Sequence, residues 1–207
     1  MSDQELQSER FSDDEATPAR KRPRPGERRL QILQTLAAML EQPGAERVTT
    51  ASLAAKIGVS EAALYRHFAS KAQMFEGLID FVDQSVIGLI RQVTDREPAG
   101  PVQASRIVAL LLQFAEKNPG MSRVMIGDAL VLEHERLQER INLLFDKIEA
   151  QLRQSLKGIE SATPTADAQL VASLLVAFMQ GRLQRFARSG FKRLPSEHLQ
   201  AALARML

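Results

Sequence analysis

The sequence predicts an all-α protein built from an N-terminal three-helix unit and a longer helical remainder. Three observations carry this. From Glu27 onward apolar residues recur at helical spacing, with no convincing strand alternation. Residues 49–71, TTASLAAKIGVSEAALYRHFASK, compress two short helix patterns around one glycine. Leu137, Ile141, Leu144, Ile148 and Leu152 alternate steps of 4 and 3, the spacing of a helix that packs along another helix.

The elements follow in order. Residues 1–26 read as a disordered extension: they are polar, contain Pro18, Pro23 and Pro25, and carry an acidic block before a basic one, Arg20-Lys21-Arg22-Pro23-Arg24. That basic run reads either as a solvated tail or as an arm for DNA phosphates. The first helix, residues 27–40, aligns Leu30, Leu33, Leu36, Ala37 and Leu40, and Pro43-Gly44 ends it. Thr49 or Thr50 caps a second helix with Leu53 and Ile57 inside. Gly58 suits a left-handed turn. Ser60 caps a third helix, Ser60–Phe68, with Leu64 and Phe68 inside. Ser70 caps a long fourth helix carrying Met74, Phe75, Leu78, Val82, Val86, Leu89 and Ile90. After a loop around Pro98–Pro101, helices are expected over 102–117, about 121–132, 134–157, 167–188 and 196–207. Asn118-Pro119-Gly120 and the 158–166 loop punctuate them. The domain division read from this is an extension at 1–26, a helix-turn-helix unit at 27–72 and a helical effector unit at 73–207.

Composition narrows the function. The 207 residues hold no Cys, which removes disulfides, thiolate nucleophiles and Cys-based zinc sites. His67, His134 and His198 are far apart and give no metal-ligand spacing. No phosphate-cradling glycine loop and no serine elbow appear, so an enzyme has no constellation to rest on, and no cofactor is expected. The start lacks a secretory pattern, and the longest apolar runs, such as IVALLL, are too short to span a bilayer; a cytoplasmic protein is expected. Net charge is only +2, but it is uneven. Residues 17–75 hold ten bases against four acids, whereas residues 76–207 hold sixteen against fifteen. Positive charge gathered around the two short helices points to a polyanion.

Two short helices joined through a glycine turn, with a third before them, form the helix-turn-helix pattern, whose second helix enters the major groove. Its first turn, Ser60-Glu61-Ala62-Ala63, is small enough for close approach to the groove floor, and Ala suits a thymine methyl. Leu64 and Phe68 define the inner face, so Tyr65 and Arg66 project outward with a phenol and a guanidinium suited to phosphate oxygens. Thr49 and Thr50 can hold a phosphate at the start of the second helix, and Lys71 another at the start of the fourth.

This stretch resembles the TetR family of DNA-binding regulators. The residues that carry the resemblance are Thr49-Thr50, Leu53-Ala54, Gly58-Val59-Ser60, Leu64-Tyr65-Arg66-His67-Phe68 and Ser70-Lys71. The resemblance implies a TetR-like fold, a homodimer formed by the C-terminal helices and a palindromic double-stranded DNA site. It puts base contacts at the start of the Ser60–Phe68 helix and phosphate contacts on Thr49, Tyr65, Lys71 and His67. Beyond the fourth helix, segments such as Glu116-Lys117-Asn118-Pro119-Gly120 and RINLLF resemble one branch of the family. Its members bind chromosomal sites and, when DNA-bound, antagonise polymerisation of the division protein FtsZ. That implies a nucleoid-associated partner of FtsZ, with one dimer or two per DNA site. It implies an FtsZ-facing surface at Phe81, Lys117 and Asn118. Leu89 departs from the branch, standing where a basic residue is expected. From its spacing alone Phe81 is equally a core residue. The rival reading is a ligand-responsive TetR-type repressor, which predicts a sizeable pocket in the second unit.

Small residues Ala172, Ala177 and Gly181 suit close helix packing, either across a two-fold interface or inside one subunit. Arg182, Arg185, Arg188, Lys192 and Arg193 form a basic cluster, read as a solvated helix end or a second anion site.

Overall fold

The computed structural model describes residues 26–42, 48–131, 133–157 and 164–207. Residues 1–25 of the extension expected at 1–26, the Pro43-Gly44 stop and residues 158–163 of the expected 158–166 loop lie outside them. The described residues are helical throughout, without strands: α1 (Glu27–Leu40), α2 (Thr50–Ile57), α3 (Glu61–Tyr65), α4 (Lys71–Thr94), α5 (Pro101–Lys117), α6 (Pro119–Met125), α7 (Glu135–Ser155), α8 (Pro164–Arg188) and α9 (Leu199–Leu203). A single 3-10 turn, Asp128–Leu130, precedes α7. None of these helices is long and apolar enough to cross a membrane.

Ile32, Leu36 and Leu40 bury one edge of α1, and Leu33 packs beside them. Leu30, expected on that face, is 53% exposed. It lies two residues from Ile32, about 200° around the helix and so on the far side. Leu53, Leu64 and Phe68 are sealed into the same core, which continues through α4 to α9 without a break. On α4 the inner line is Leu78, Val82, Val86 and Ile90, whereas Leu89 is only half-buried. All five α7 residues at steps of 4 and 3 are buried, with Phe145 beside them.

The α5–α6 corner turns at Asn118. Its amide donates to the Phe114 carbonyl at 2.7 Å, and the buried Ser122 hydroxyl donates to the Ala115 carbonyl at 2.9 Å. Pro119 ends α5 yet opens α6 at a position where its missing N–H costs nothing. The next residue, Gly120, meets α1 backbone to backbone: a Cβ there would stand 2.1 Å from the Ala37 carbonyl oxygen. Only glycine permits this contact, which locks α1 against the larger helical body.

Helices α4 and α7 run parallel, stitched by ion pairs that climb both chains together. Lys71 pairs with Glu133, Glu76 with Arg136 at 2.7 Å, Asp80 with Arg140, and Asp83 with Lys147 at 2.8 Å. Helix α8 returns antiparallel to α7: Gln169 donates to Glu149 at 2.6 Å near one end, and Gln184 shares a cavity with Gln138 near the other. Of the small residues on α8, Ala172 is buried within the subunit, while Ala177 and Gly181 are open. They continue an outward stripe with Leu170 and Leu174, 58% and 52% exposed.

Candidate nucleic-acid interface

Residues 49–71 fold as three linked capped turns. The Thr49 hydroxyl accepts from the Ser52 N–H at 3.1 Å, while the Ser52 hydroxyl accepts from the Thr49 N–H at 3.1 Å, a reciprocal cap that fixes the start of α2. Gly58 closes α2 at φ 75°, in the left-handed region, donating to the Ala54 carbonyl at 2.9 Å. Ser60 then accepts from the Ala63 N–H at 3.3 Å and starts α3. Ser70 accepts from the Gln73 N–H at 3.2 Å and starts α4. The α-helical part of α3 ends at Tyr65 rather than Phe68. Residues 66–68 continue as a turn in which the His67 and Phe68 N–H groups both point back to the Leu64 carbonyl. Phe68, beyond the end of α3, is nevertheless buried in the core.

This arrangement leaves Ser60, Glu61, Ala62, Tyr65, Arg66 and His67 exposed, with Ala63 half-buried. Tyr65 is 45% exposed although it is the one tyrosine of the chain. The starts of α2 and α3 are tied together: the Thr50 hydroxyl donates to Glu61 Oε2 at 2.6 Å. Thr50 is therefore a clamp on a carboxylate as well as a candidate phosphate donor. That carboxylate, at the first residue of α3, is an acceptor suited to the cytosine amino group. Lys71 differs from expectation in its surroundings. Its ammonium is held by Glu133 and lies 5.6 Å from the centre of the Phe75 ring, so it is only partly exposed.

Arg29 was not legible as part of this unit. It donates to the His67 carbonyl at 2.8 Å, and its guanidinium lies 4.0 Å over the Phe68 ring. It thereby staples α1 to the turn that ends α3. No short-range pattern joins residues this far apart in sequence. Glu133, the partner of Lys71, was equally invisible.

The second predicted cluster is spread over α4 and α5. Phe81 is 45% exposed, which settles its place outside the core of the protomer. Lys117 is exposed and Asn118 half-buried, with its amide already spent on the α5–α6 corner. α4 and α5 run antiparallel, with Val93 and Val102 lining one cavity. The His134 ring caps α7 by accepting from the Arg136 N–H at 3.3 Å, and no metal-holding cluster occurs among the described residues.

Residues 32–78 match the bacterial regulatory proteins of the tetR family, and residues 101–206 match an SlmA-like, tetracyclin repressor-like C-terminal domain. The nucleoid occlusion factor SlmA of Idiomarina loihiensis is 50% identical over 177 residues, covering 84% of this chain and 90% of that protein. The protein of the same name from Shewanella oneidensis is 51% identical over 174 residues, covering 83% and 88%. Among solved structures, a transcriptional regulator from Rhodococcus sp. Rha1 superposes with a TM-score of 0.69 at 22% identity, covering 86% of this chain and 92% of that one. A TetR-family regulator from Bordetella parapertussis gives 0.69 at 19%, covering 88% and 95%, a likeness of fold alone. With a TetR-type helix-turn-helix, an SlmA-like C-terminal half and relatives half identical along most of its length, the chain belongs to the SlmA family of nucleoid occlusion factors within the TetR group.

Proposed function

We propose that this protein is a sequence-specific DNA-binding nucleoid occlusion factor that, when bound to chromosomal DNA, antagonises FtsZ polymerisation and keeps the septum from closing over the chromosome. The observation that carries the reading is the half-identity to proteins named nucleoid occlusion factor SlmA, which extends past the DNA-binding helices through α5, α6 and α7. Members of this family are DNA-binding proteins, not enzymes.

In this reading residues 27–72 bind DNA and residues 73–207 dimerise and carry the effector surface. Two copies join through the outward stripe of α8, with Leu170 and Leu174 as anchors and Ala177 and Gly181 permitting close approach, and Leu143 of α7 beside them. The dimer offers two α3 helices to a palindrome, as one dimer or two per site. Glu61, Ala62 and Ala63 face base edges. Thr49, Thr50, Ser60, Tyr65, Arg66 and His67 face the backbone. Lys71 joins them only by exchanging Glu133 for a phosphate, so it contributes less than its charge suggests. The exposed Phe81, with Lys117 and Asn118, forms the FtsZ-facing surface. The protein works in the cytoplasm, on the nucleoid.

Fluorescence anisotropy tests the DNA half directly. A palindromic duplex selected from a random pool should bind far more tightly than its scrambled version, and Tyr65→Ala should weaken binding to both duplexes while leaving the fold intact. Equal binding of both duplexes would sink the DNA reading.

The ligand-responsive repressor remains as a second reading on one observation. A cavity of about 420 Å³ opens between α6, α7 and α8 over Ile141 and Phe145, rimmed by Gln138, Asn142, Gln180 and Gln184. That size and its mixed lining suit a small uncharged molecule. Release of operator DNA by such a compound, with no effect on FtsZ, would favour it.

A further inference from the structure

We propose that the C-terminal end of α8 and the turn after it form a phosphoanion-binding site separate from the DNA-facing helices. Arg185, Arg188, Ser189 and Arg193 line a surface cavity of about 350 Å³. Among the described residues none of Arg185, Arg188, Lys192 and Arg193 has an ion-pair partner. Isolated cations at a helix C-terminus are ordinary, because the helix dipole favours them. That accounts for Arg185 and Arg188, which sit on the last turns of α8. It does not account for the return of Arg193.

The return is built, at a cost in backbone conformation. Gly190 and Phe191 both adopt left-handed backbone, at φ 61° and 63°. Such a conformation is uncommon for a bulky side chain and is held only where the surroundings enforce it. Here they do. The Phe191 N–H donates to the Phe186 carbonyl at 2.9 Å, and the two rings meet edge to face with centroids 5.1 Å apart. The Ser189 hydroxyl donates to the Phe186 carbonyl at 2.8 Å while accepting the N–H groups of Lys192 and Arg193 at 3.1 and 2.9 Å. Beyond the turn, the chain is fastened by the Ser196 N–H to the Glu116 carboxylate at 2.7 Å and by Arg182 to the Glu197 carbonyl at 2.8 Å. The turn thus returns Arg193 to the cavity that Arg185, Arg188 and Ser189 also line.

A planar guanidinium fork matches a phosphate in two-point contact, and several forks on one cavity call for more negative charge than a single carboxylate carries. The ligand class is a phosphoryl anion. It is either a free one, such as pyrophosphate or a nucleoside polyphosphate, or a backbone phosphate of DNA lying outside the helix-turn-helix footprint.

The test uses the full chain and the double variant Arg185→Gln, Arg193→Gln, with Arg153→Gln as a control at an exposed arginine elsewhere. The first arm titrates inorganic pyrophosphate calorimetrically at low salt. Saturable binding at one per protomer, at least tenfold weaker in the double variant and unchanged in the control, assigns the site to free phosphoanions. The second arm compares a minimal operator duplex with one extended at both ends. Affinity lost by the double variant only on the extended duplex assigns it to DNA phosphates. Equal behaviour of the native chain and double variant in both arms overturns the proposal, as does an equal loss in the control. The site stands apart from the DNA and FtsZ readings, since it uses none of their residues.

Discussion

Replacing Arg66 by Gln is expected to flatten the salt dependence of operator binding without unfolding the protein. Arg66 is exposed at the end of α3, and among the described residues its guanidinium has no ion-pair partner. It therefore enters the complex with its charge unspent. Each phosphate neutralised on duplex DNA makes log K fall with log salt by about 0.9. A dimer carries two such residues, so the slope should become less steep by about 1.8. Between about 50 and about 200 mM salt, a fourfold change, that amounts to roughly a tenfold narrowing of the affinity gap between native and variant proteins. The assay is fluorescence anisotropy on the selected operator at four or five salt concentrations, with thermal melting to show stability within about 0.5 kcal/mol of the native protein. An unchanged slope would refute the placement of Arg66 on the DNA backbone. Lys71→Gln supplies the contrast. Its ammonium already has Glu133, so the slope should change by less than for Arg66.

Thr50→Val removes the hydroxyl that clamps Glu61 and should weaken discrimination among operator variants more than overall affinity, by about 1–3 kcal/mol at the base pair Glu61 faces; a panel of single-substituted duplexes measures it. Phe81→Ala, at a half-exposed position, should leave operator affinity and melting temperature nearly unchanged while abolishing the effect on FtsZ; coincident loss of stability would return Phe81 to a packing role. Gly181→Leu puts a large side chain on the outward stripe, where an added Cβ meets nothing within 4 Å inside the protomer. It should preserve the protomer fold yet weaken the dimer and, with it, binding to a palindrome, as read by analytical ultracentrifugation and anisotropy together.

Much of this fold could be read from local chemistry. Thr49, Ser60 and Ser70 as caps, Gly58 as a left-handed turn and the α7 line from Leu137 to Leu152 are short-range features, and the structure places them as expected. Leu30 was misplaced because several phases of an apolar stripe fit a helix. Only the neighbouring helices decide which phase is buried. The length of α3 was overestimated for a similar reason: Leu64 and Phe68 are both buried, but a turn delivers Phe68 to the core after α3 has ended. The partners of charged residues were not legible. Arg29 on His67 and Phe68, Lys71 on Glu133 and Thr50 on Glu61 are contacts between elements, fixed by packing rather than spacing. The small residues of α8 show the same limit. Ala172 and Gly181 look alike in the sequence, yet one is sealed inside the protomer and the other is open on its surface.

Under the proposed function, DNA binding and division inhibition are one activity of one dimer. Light scattering of FtsZ polymerising with GTP tests it, with the native protein added alone, with its selected duplex and with a scrambled duplex. Loss of polymer that requires the selected duplex, and that fails with Phe81→Ala, is the predicted result. Polymer that persists under saturating operator binding would contradict it and leave a DNA-binding regulator with no hold on FtsZ.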